Sequence, residues 1–335
     1  MAKILSFTAL ILIFLWSSIV FSAEMINGAG ATFPYPLYSS WANDYHKATG
    51  IKVNYQSIGS GGGIRQITER TVHFGASDMA LKPEELEKSK LLQFPAVIGG
   101  VVPVVNLPTI PSGGLVLDGT TICEIFLGEI KKWDDPKIKA LNTNINLPSK
   151  PITVIYRSDG SGTTAIFTHY LSSTCPKWAQ SVGQGTSVKW RTGLGGKGNE
   201  GVANYVKRTP YSIGYVEFAY AKQNKLAVAK LKNKAGQIVA PDIDSFAEAA
   251  SSAALDPKNH FYAWMTNASG KKAWPITGAT YILLAREKTD TNKSVIQFFD
   301  WAFKNGDNTA LKLDYVPLPS NLKDKIRAYW KQYVK

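Results

Sequence analysis

Glycine, serine and threonine gather at three points where an extended run gives way to a helical one. GAGATF at 28–33 leads into Pro34, a residue suited to a first helical turn; GSGGG at 59–63 follows a β-rich run ending at Gln56; RSDGSGT at 157–163 follows another ending at Tyr156. A helix start leaves backbone N–H groups without intrahelical partners and carries about half a positive charge. Glycine lets the backbone approach an anion closely, and Ser or Thr adds a hydroxyl donor. A single loop of this kind reads as ordinary capping, because Ser and Thr are favoured caps anyway. Three in one chain, two of them flanked by charged residues, point to a shared anion.

Other chemistries find less support. GLGGKG at 193–198 matches the glycine fingerprint of a dinucleotide fold, and Glu217 follows 19 residues later, but only 199–208 is left for the helix before Thr209-Pro210 interrupts. Gly196-Lys197 is followed by Gly198, not by the Ser or Thr that a nucleoside triphosphate loop needs. Ser60 and Ser161 each lack the first glycine of a nucleophile elbow, having Ile58 and Asp159 there. The four histidines (His46, His73, His169, His260) are dispersed without metal-ligand spacing and read as surface or hydrogen-bonded residues. Among the acids, Asp78 closes the apolar segment FGASD: it is either a turn residue or a carboxylate that a strand end aims into a cleft.

These residues must be positioned by an α/β framework. β-rich apolar runs at 51–56, 97–105, 152–156, 212–216 and 281–285 alternate with stretches of helical spacing such as 37–46 and 295–303. In the last of these, Ile296, Phe299 and Phe303 form one stripe, read as core, with Gly306 as the stop signal. A length of 335 residues allows about two domains, and 44% hydrophobic residues with ordinary Gly and Pro content exclude disorder, collagen-like repeats and a disulfide-rich scaffold. No internal repeat or flexible tether is evident, so short crossings should join the domains.

Residues 1–23 belong to another class. Lys3, an apolar run at 9–16 and the small residues Ser22 and Ala23 have the order of a secretory signal peptide, cleaved after Ser22 or Ala23; the apolar core is too short for a membrane span. No cysteine stands at the cleavage point to take a lipid, so the mature chain is expected to be soluble. Export exposes Cys123 and Cys175 to oxidising conditions, where they form either one bridge or two buried thiols, and neither sits in a catalytic or redox motif. The net charge of +13, or +12 without Lys3, favours anionic partners. Lys and Arg are nonetheless scattered, with no run long enough to track a phosphate backbone, so nucleic acid is not an expected partner.

Across the whole mature chain the sequence resembles the PstS family of periplasmic phosphate-binding proteins, which serve bacterial phosphate ABC transporters. The resemblance rests on GAGATFPY (28–35), VNYQSIGSGGGIRQIT (53–68), FGASDM (74–79), QFPAVIGGVVPVVN (93–106), IKKWDDP (130–136), DGSGTT (159–164), GLGGKGNEGVA (193–203) and IGYVEFAYAKQN (213–224), in that order. It implies a two-lobed α/β fold of mixed sheets flanked by helices, with lobe I at 24–106 and 280–335, lobe II at 107–279, and a hinge that closes them on one buried phosphate. It further implies a monomer without cofactor, metal or turnover, whose partners are inorganic phosphate and the permease subunits of the transporter. Carried over position by position, Thr32 would donate by hydroxyl and Phe33 by backbone N–H, and Ser60 by hydroxyl. Ser161, Gly162 and Thr163 would donate from a helix start beside the one charged donor, Arg157, which Asp159 supports. Asp78 corresponds to the carboxylate that accepts the phosphate proton and rejects sulfate. The GLGGKG segment becomes a structural loop; Ser57, Gly61 and Ser158 depart from the family pattern beside the site, and the two cysteines lie outside it. Three rivals stay open: a phosphatase holding phosphate as product, an adhesin or scaffold displayed at the surface, and a receptor for sulfate, arsenate or molybdate.

Overall fold

The computed structural model describes residues 25–334, so the expected signal segment at 1–23 lies outside the described residues. Twelve strands are present among them. They are β1 (Met25–Gly30), β2 (Lys52–Ser57), β3 (Phe74–Ser77), β4 (Leu91–Val105), β5 (Val116–Leu117), β6 (Thr153–Arg157), β7 (Leu194–Gly196), β8 (Ser212–Glu217), β9 (Ala227–Val228), β10 (Lys230–Lys232), β11 (Ile238–Val239) and β12 (Thr277–Ala285). Eight run in the order β2-β1-β3-β12-β4-β8-β6-β7, β9 adds to β4, and β11-β10-β5 form a small separate sheet. The result is two α/β lobes that share one long strand.

That strand is β4, whose 15 residues LLQFPAVIGGVVPVV are all buried, as a near-continuous apolar run demands when both faces are covered. Its first part, Leu91 to Gly100, pairs with β12; its second, Val101 to Val105, pairs with β8. The sequence places this strand at 97–105, and the additional residues escape notice because Pro95 interrupts the run. Pro95 stands where the pairing register shifts between Thr280 and Tyr281, a bulge that removes the need for its missing N–H. β12 likewise begins at Thr277, before the expected 281.

Helices pack on both groups of strands. The helix Tyr35–Thr49 buries Leu37, Tyr38, Trp41 and Tyr45, and Gly50 ends it in a left-handed conformation. Pro34 occupies its N-cap, so the first-turn proline is Pro36. The helix Thr289–Asn305 ends at Gly306 as expected, but its buried stripe is Val295, Phe298, Phe299, Ala302 and Phe303, with Ile296 only half-buried. Phe299 meets Tyr38, Phe74 and Phe94 at centroid distances of 5.7, 5.4 and 5.8 Å, which fastens the two helices to β3 and β4. Each ring of this size contributes about 1.5–3 kcal/mol through burial. In the other lobe Phe167 stacks on Tyr215 at 4.1 Å and meets Phe126 at 4.9 Å. There Cys123 and Cys175 are joined as a disulfide, resolving the open alternative, and the bond ties the helix Gly119–Phe126 to the residue that ends the helix Gly162–Thr174.

Candidate functional site

All eight expected contact residues, with Asp159, occur in three strand-to-helix turns and at one strand end. Thr32 and Phe33 follow β1, Ser60 opens the helix Ser60–Thr68 after β2, and Asp78 follows β3. Arg157 ends β6, Ser161 is the N-cap of the helix Gly162–Thr174, and Gly162 and Thr163 form that helix's first turn. Thr32, Phe33, Ser60, Asp78, Arg157, Ser161 and Thr163 are at most 3% exposed.

Hydrogen bonds bring these turns together across the lobes. Ser60 Oγ accepts the N–H of Asp78 at 3.2 Å and that of Gly162, from the other lobe, at 3.0 Å. Thr32 Oγ1 accepts from Asn199 N and Asn199 Nδ2 at 3.2 and 2.7 Å. Thr163 Oγ1 accepts from Arg157 Nη1 at 3.3 Å and Asn199 Nδ2 at 3.1 Å. A hydroxyl has two lone pairs and one proton. Each of these three therefore has only its proton left to give.

The Arg157 fork lies along Asp159, with Nε and Nη2 donating to Oδ1 and Oδ2 at 2.8 and 2.6 Å. The Gly198 N–H also donates to Asp159 Oδ1, at 3.0 Å. Burial works to raise the Asp159 carboxyl, but the guanidinium outweighs it and holds the pKa below the usual range. For Arg157 burial opposes the charge, and Asp159 reverses the balance and keeps it protonated. Asp78 is the opposite case. Its Oδ1 accepts the Thr280 hydroxyl at 2.7 Å, while Oδ2 is buried and has no partner among the described residues. Burial pushes this carboxyl up to about 7, against weaker opposing pulls from Thr280, Arg157, the Ser60 hydroxyl and the Thr163 N–H.

Close approach of the lobes depends on glycine. Gly59 has φ +86, and a Cβ there would stand 2.4 Å from Asp159 Oδ2. A Cβ on Gly162 would lie 2.5 Å from Ser60 Oγ and 2.6 Å from Asp78 Cβ. Gly61, one of the departures from the family pattern, donates its N–H to Gly160 O at 2.9 Å, a second bond across the same seam.

Several supporting residues carried no local signal. Tyr220 OH donates to Thr32 O and Tyr315 OH to Phe33 O, both at 2.6 Å. A trans peptide points its N–H opposite to its C=O, so pinning Thr32 O directs the Phe33 N–H away from Tyr220. Thr280, placed at the β12 bulge, orients Asp78. Asn199 directly follows the GLGGKG segment, which is the one signal that points to it. That segment does form β7 and lead into the helix Gly198–Arg208, but Gly198 anchors Asp159. Glu217 is fully buried, bonded to Ala219 N and Tyr315 OH at 2.9 and 3.0 Å, and so is not presented to a nucleotide ribose. Of the histidines, His73 Nδ1 accepts Asn27 N–H at 3.2 Å, while His169 and His260 lie 2.5 and 2.6 Å from the Thr266 and Tyr329 hydroxyls. No group of three or more His, Cys, Asp or Glu side chains that could hold a metal occurs among the described residues.

The arrangement is thus a buried ring of hydroxyl and amide donors around one guanidinium and one bare carboxylate oxygen. The chain matches the PBP superfamily domain over residues 21–305. It is 56% identical over 331 residues to the phosphate-binding protein PstS of Pasteurella multocida, covering 98% of this chain and 96% of that one. This chain belongs to the PstS family. Its relative in Haemophilus influenzae is also 56% identical, with 93% of this chain and 94% of the other covered. The fold agrees with that of a phosphate-binding protein from Stenotrophomonas maltophilia, at a TM-score of 0.70 and 23% identity over 91% of this chain and 94% of that chain. No helix among the described residues is long and apolar enough to cross a membrane.

Proposed function

We propose that this chain binds inorganic phosphate between its lobes in the periplasm and presents it, as a monomer without catalytic turnover, to the permease subunits of a phosphate ABC transporter. The ligands are Thr32, Phe33, Ser60, Asp78, Arg157, Ser161, Gly162 and Thr163, with Asp159 in support; the Gly162 N–H, which donates to Ser60 Oγ here, turns to the anion on binding. One observation carries the reading: Thr32, Ser60 and Thr163, each with both hydroxyl lone pairs filled, belong with Arg157 to one buried hydrogen-bonded cluster, and the Asp78 carboxylate that Ser60 joins through the Asp78 N–H keeps one oxygen without a partner. A dehydrated oxyanion is costly to bury unless directed donors replace its water, and each hydrogen bond to a charged group contributes roughly 1.5–3 kcal/mol net. The names borne by the relatives support the same ligand.

Asp78 sets the selectivity. Near neutral pH its carboxyl titrates at about 7, so it and phosphate share one proton whichever of them brings it. Sulfate brings none, and meets either a bare carboxylate or one that must first be protonated. Binding draws the lobes, 24–106 with 280–335 and 107–279, together about β4, and favours the closed population. Titration calorimetry with phosphate and sulfate at about pH 8 tests this: phosphate binds and sulfate does not, whereas equal binding of the two refutes the role of Asp78. Release of phosphate from a chromogenic ester would instead establish the phosphatase reading.

A further inference from the structure

We infer that Asn199 is a positioning residue that fixes the proton direction of Thr32 and Thr163, turning two ambivalent hydroxyls into obligate donors and latching the two lobes in the same act. The inference rests on the phosphate reading above and adds a residue to it. Asn199 lies in the first turn of the helix Gly198–Arg208 and is fully buried. Its Oδ1 accepts the Glu217 N–H at 2.9 Å. A backbone N–H can only donate, so the amide oxygen must face Glu217 and the NH2 must face the other way. There Nδ2 lies 2.7 Å from Thr32 Oγ1 and 3.1 Å from Thr163 Oγ1, one hydroxyl from each lobe. The backbone N–H of Asn199 gives Thr32 its second incoming bond, and Arg157 Nη1 gives Thr163 its second.

With both lone pairs occupied, neither hydroxyl can turn an oxygen towards an anion. Serine and threonine hydroxyls ordinarily rotate to suit their surroundings, and the cost of that freedom falls on the ligand. Here the orientation is set before the ligand arrives, by a chain of bonds from the β8 backbone through one amide. Glutamate or aspartate at this place would demand the threonine protons and reverse both donors. The amide is therefore what this position requires, and its reach across the seam makes the same group a latch.

The test is a double-mutant cycle read by calorimetry with phosphate. Asn199→Ala is expected to weaken phosphate binding about ten- to a hundredfold, the scale of one or two hydrogen bonds to a charged ligand. The same substitution made in Thr32→Val or Thr163→Val backgrounds should cost clearly less, because the hydroxyls through which Asn199 acts are gone. An unchanged affinity, or an equal loss in all backgrounds, overturns the inference. Asn199→Asp keeps the Oδ1 acceptor for Glu217 and nearly the same volume, and guards against a variant that fails to fold. Its ionised carboxyl can only accept, so at about pH 8 phosphate binding should fall at least as far as in Asn199→Ala; wild-type affinity in this variant again overturns the inference. Failure of the wild type to bind phosphate would instead strike the functional reading, so the two failures are separable.

Discussion

Asp78→Asn offers the sharpest quantitative test, because the same burial that serves selectivity must cost stability. Burial lifts the carboxyl from its ordinary 3.8 to about 7. A shift of about 3 units is worth roughly 4 kcal/mol at 1.36 kcal/mol per unit. The folded state holds this proton more tightly than the unfolded chain, so between about pH 4 and pH 7 it binds more protons, and stability falls as pH rises through that window. Above about pH 7 the loss is complete and levels off. Asparagine keeps an oxygen to accept the Thr280 hydroxyl and removes the titration. In phosphate-free buffer, the variant should therefore gain on wild type by roughly 4 kcal/mol between about pH 4 and pH 8. At about 2 °C per kcal/mol for a chain of this size, that is a relative rise of roughly 8 °C in Tm, read from thermal melts followed by circular dichroism. The amide's NH2 then occupies the place of the unpartnered Oδ2, so phosphate binding should weaken while sulfate binding gains. A Tm difference that stays constant with pH would refute the reasoning, since no stability would then be linked to this carboxyl.

Two further substitutions or treatments probe the remaining framework. Arg157→Ala should weaken phosphate binding by roughly a hundredfold or more in calorimetry and also lower stability by about 3–5 kcal/mol in denaturant titrations, because it strands Asp159 at 12% side-chain exposure without its partner. Reduction of the Cys123–Cys175 bond opens a loop with a sequence separation of 52, for which chain entropy gives roughly 4 kcal/mol of lost stability in a reducing melt; phosphate binding should persist, since both cysteines lie outside the donor ring.

The legibility of the chain follows from how far each signal reaches. β6 and β8 are visible because their own side chains are largely apolar and β-branched or aromatic, β2 because Val53 and Tyr55 alternate with polar residues, and the three donor turns because helix-start chemistry is written in consecutive residues. β1 and β3, with the sequences MINGAG and FGAS, have poor intrinsic strand preference and become strands only through pairing with β2 and β12. Tyr220 and Tyr315 are 188 and 282 residues from the turn they support, so no local pattern could assign them, and Asn199, 167 residues away, is pointed to only by the glycine-rich segment it follows. Asp78 sits between these cases: its strand end is local, but the unpartnered oxygen that separates a turn residue from a selectivity device exists only after β12 brings Thr280 beside it.

The distribution of charge explains why an anion site needs this many neutral donors. The chain carries +13, yet the site's one cation is matched by Asp159 at 2.6 Å and faces a second carboxylate in Asp78. A further acid, Glu217, is fully buried and has its carboxyl raised well above its usual range by burial. Local net charge is thus near zero or below, and the global positive field, screened over about 10 Å at 0.1 M salt, acts on the approach of an anion more than on its retention. Retention falls to oriented dipoles, which in a buried site keep their strength without the desolvation cost that a second guanidinium would add. Such a balance also lets the ligand leave: a fully uncompensated arginine would hold the anion more tightly, and a transport component that must hand its cargo on gains nothing from irreversible capture.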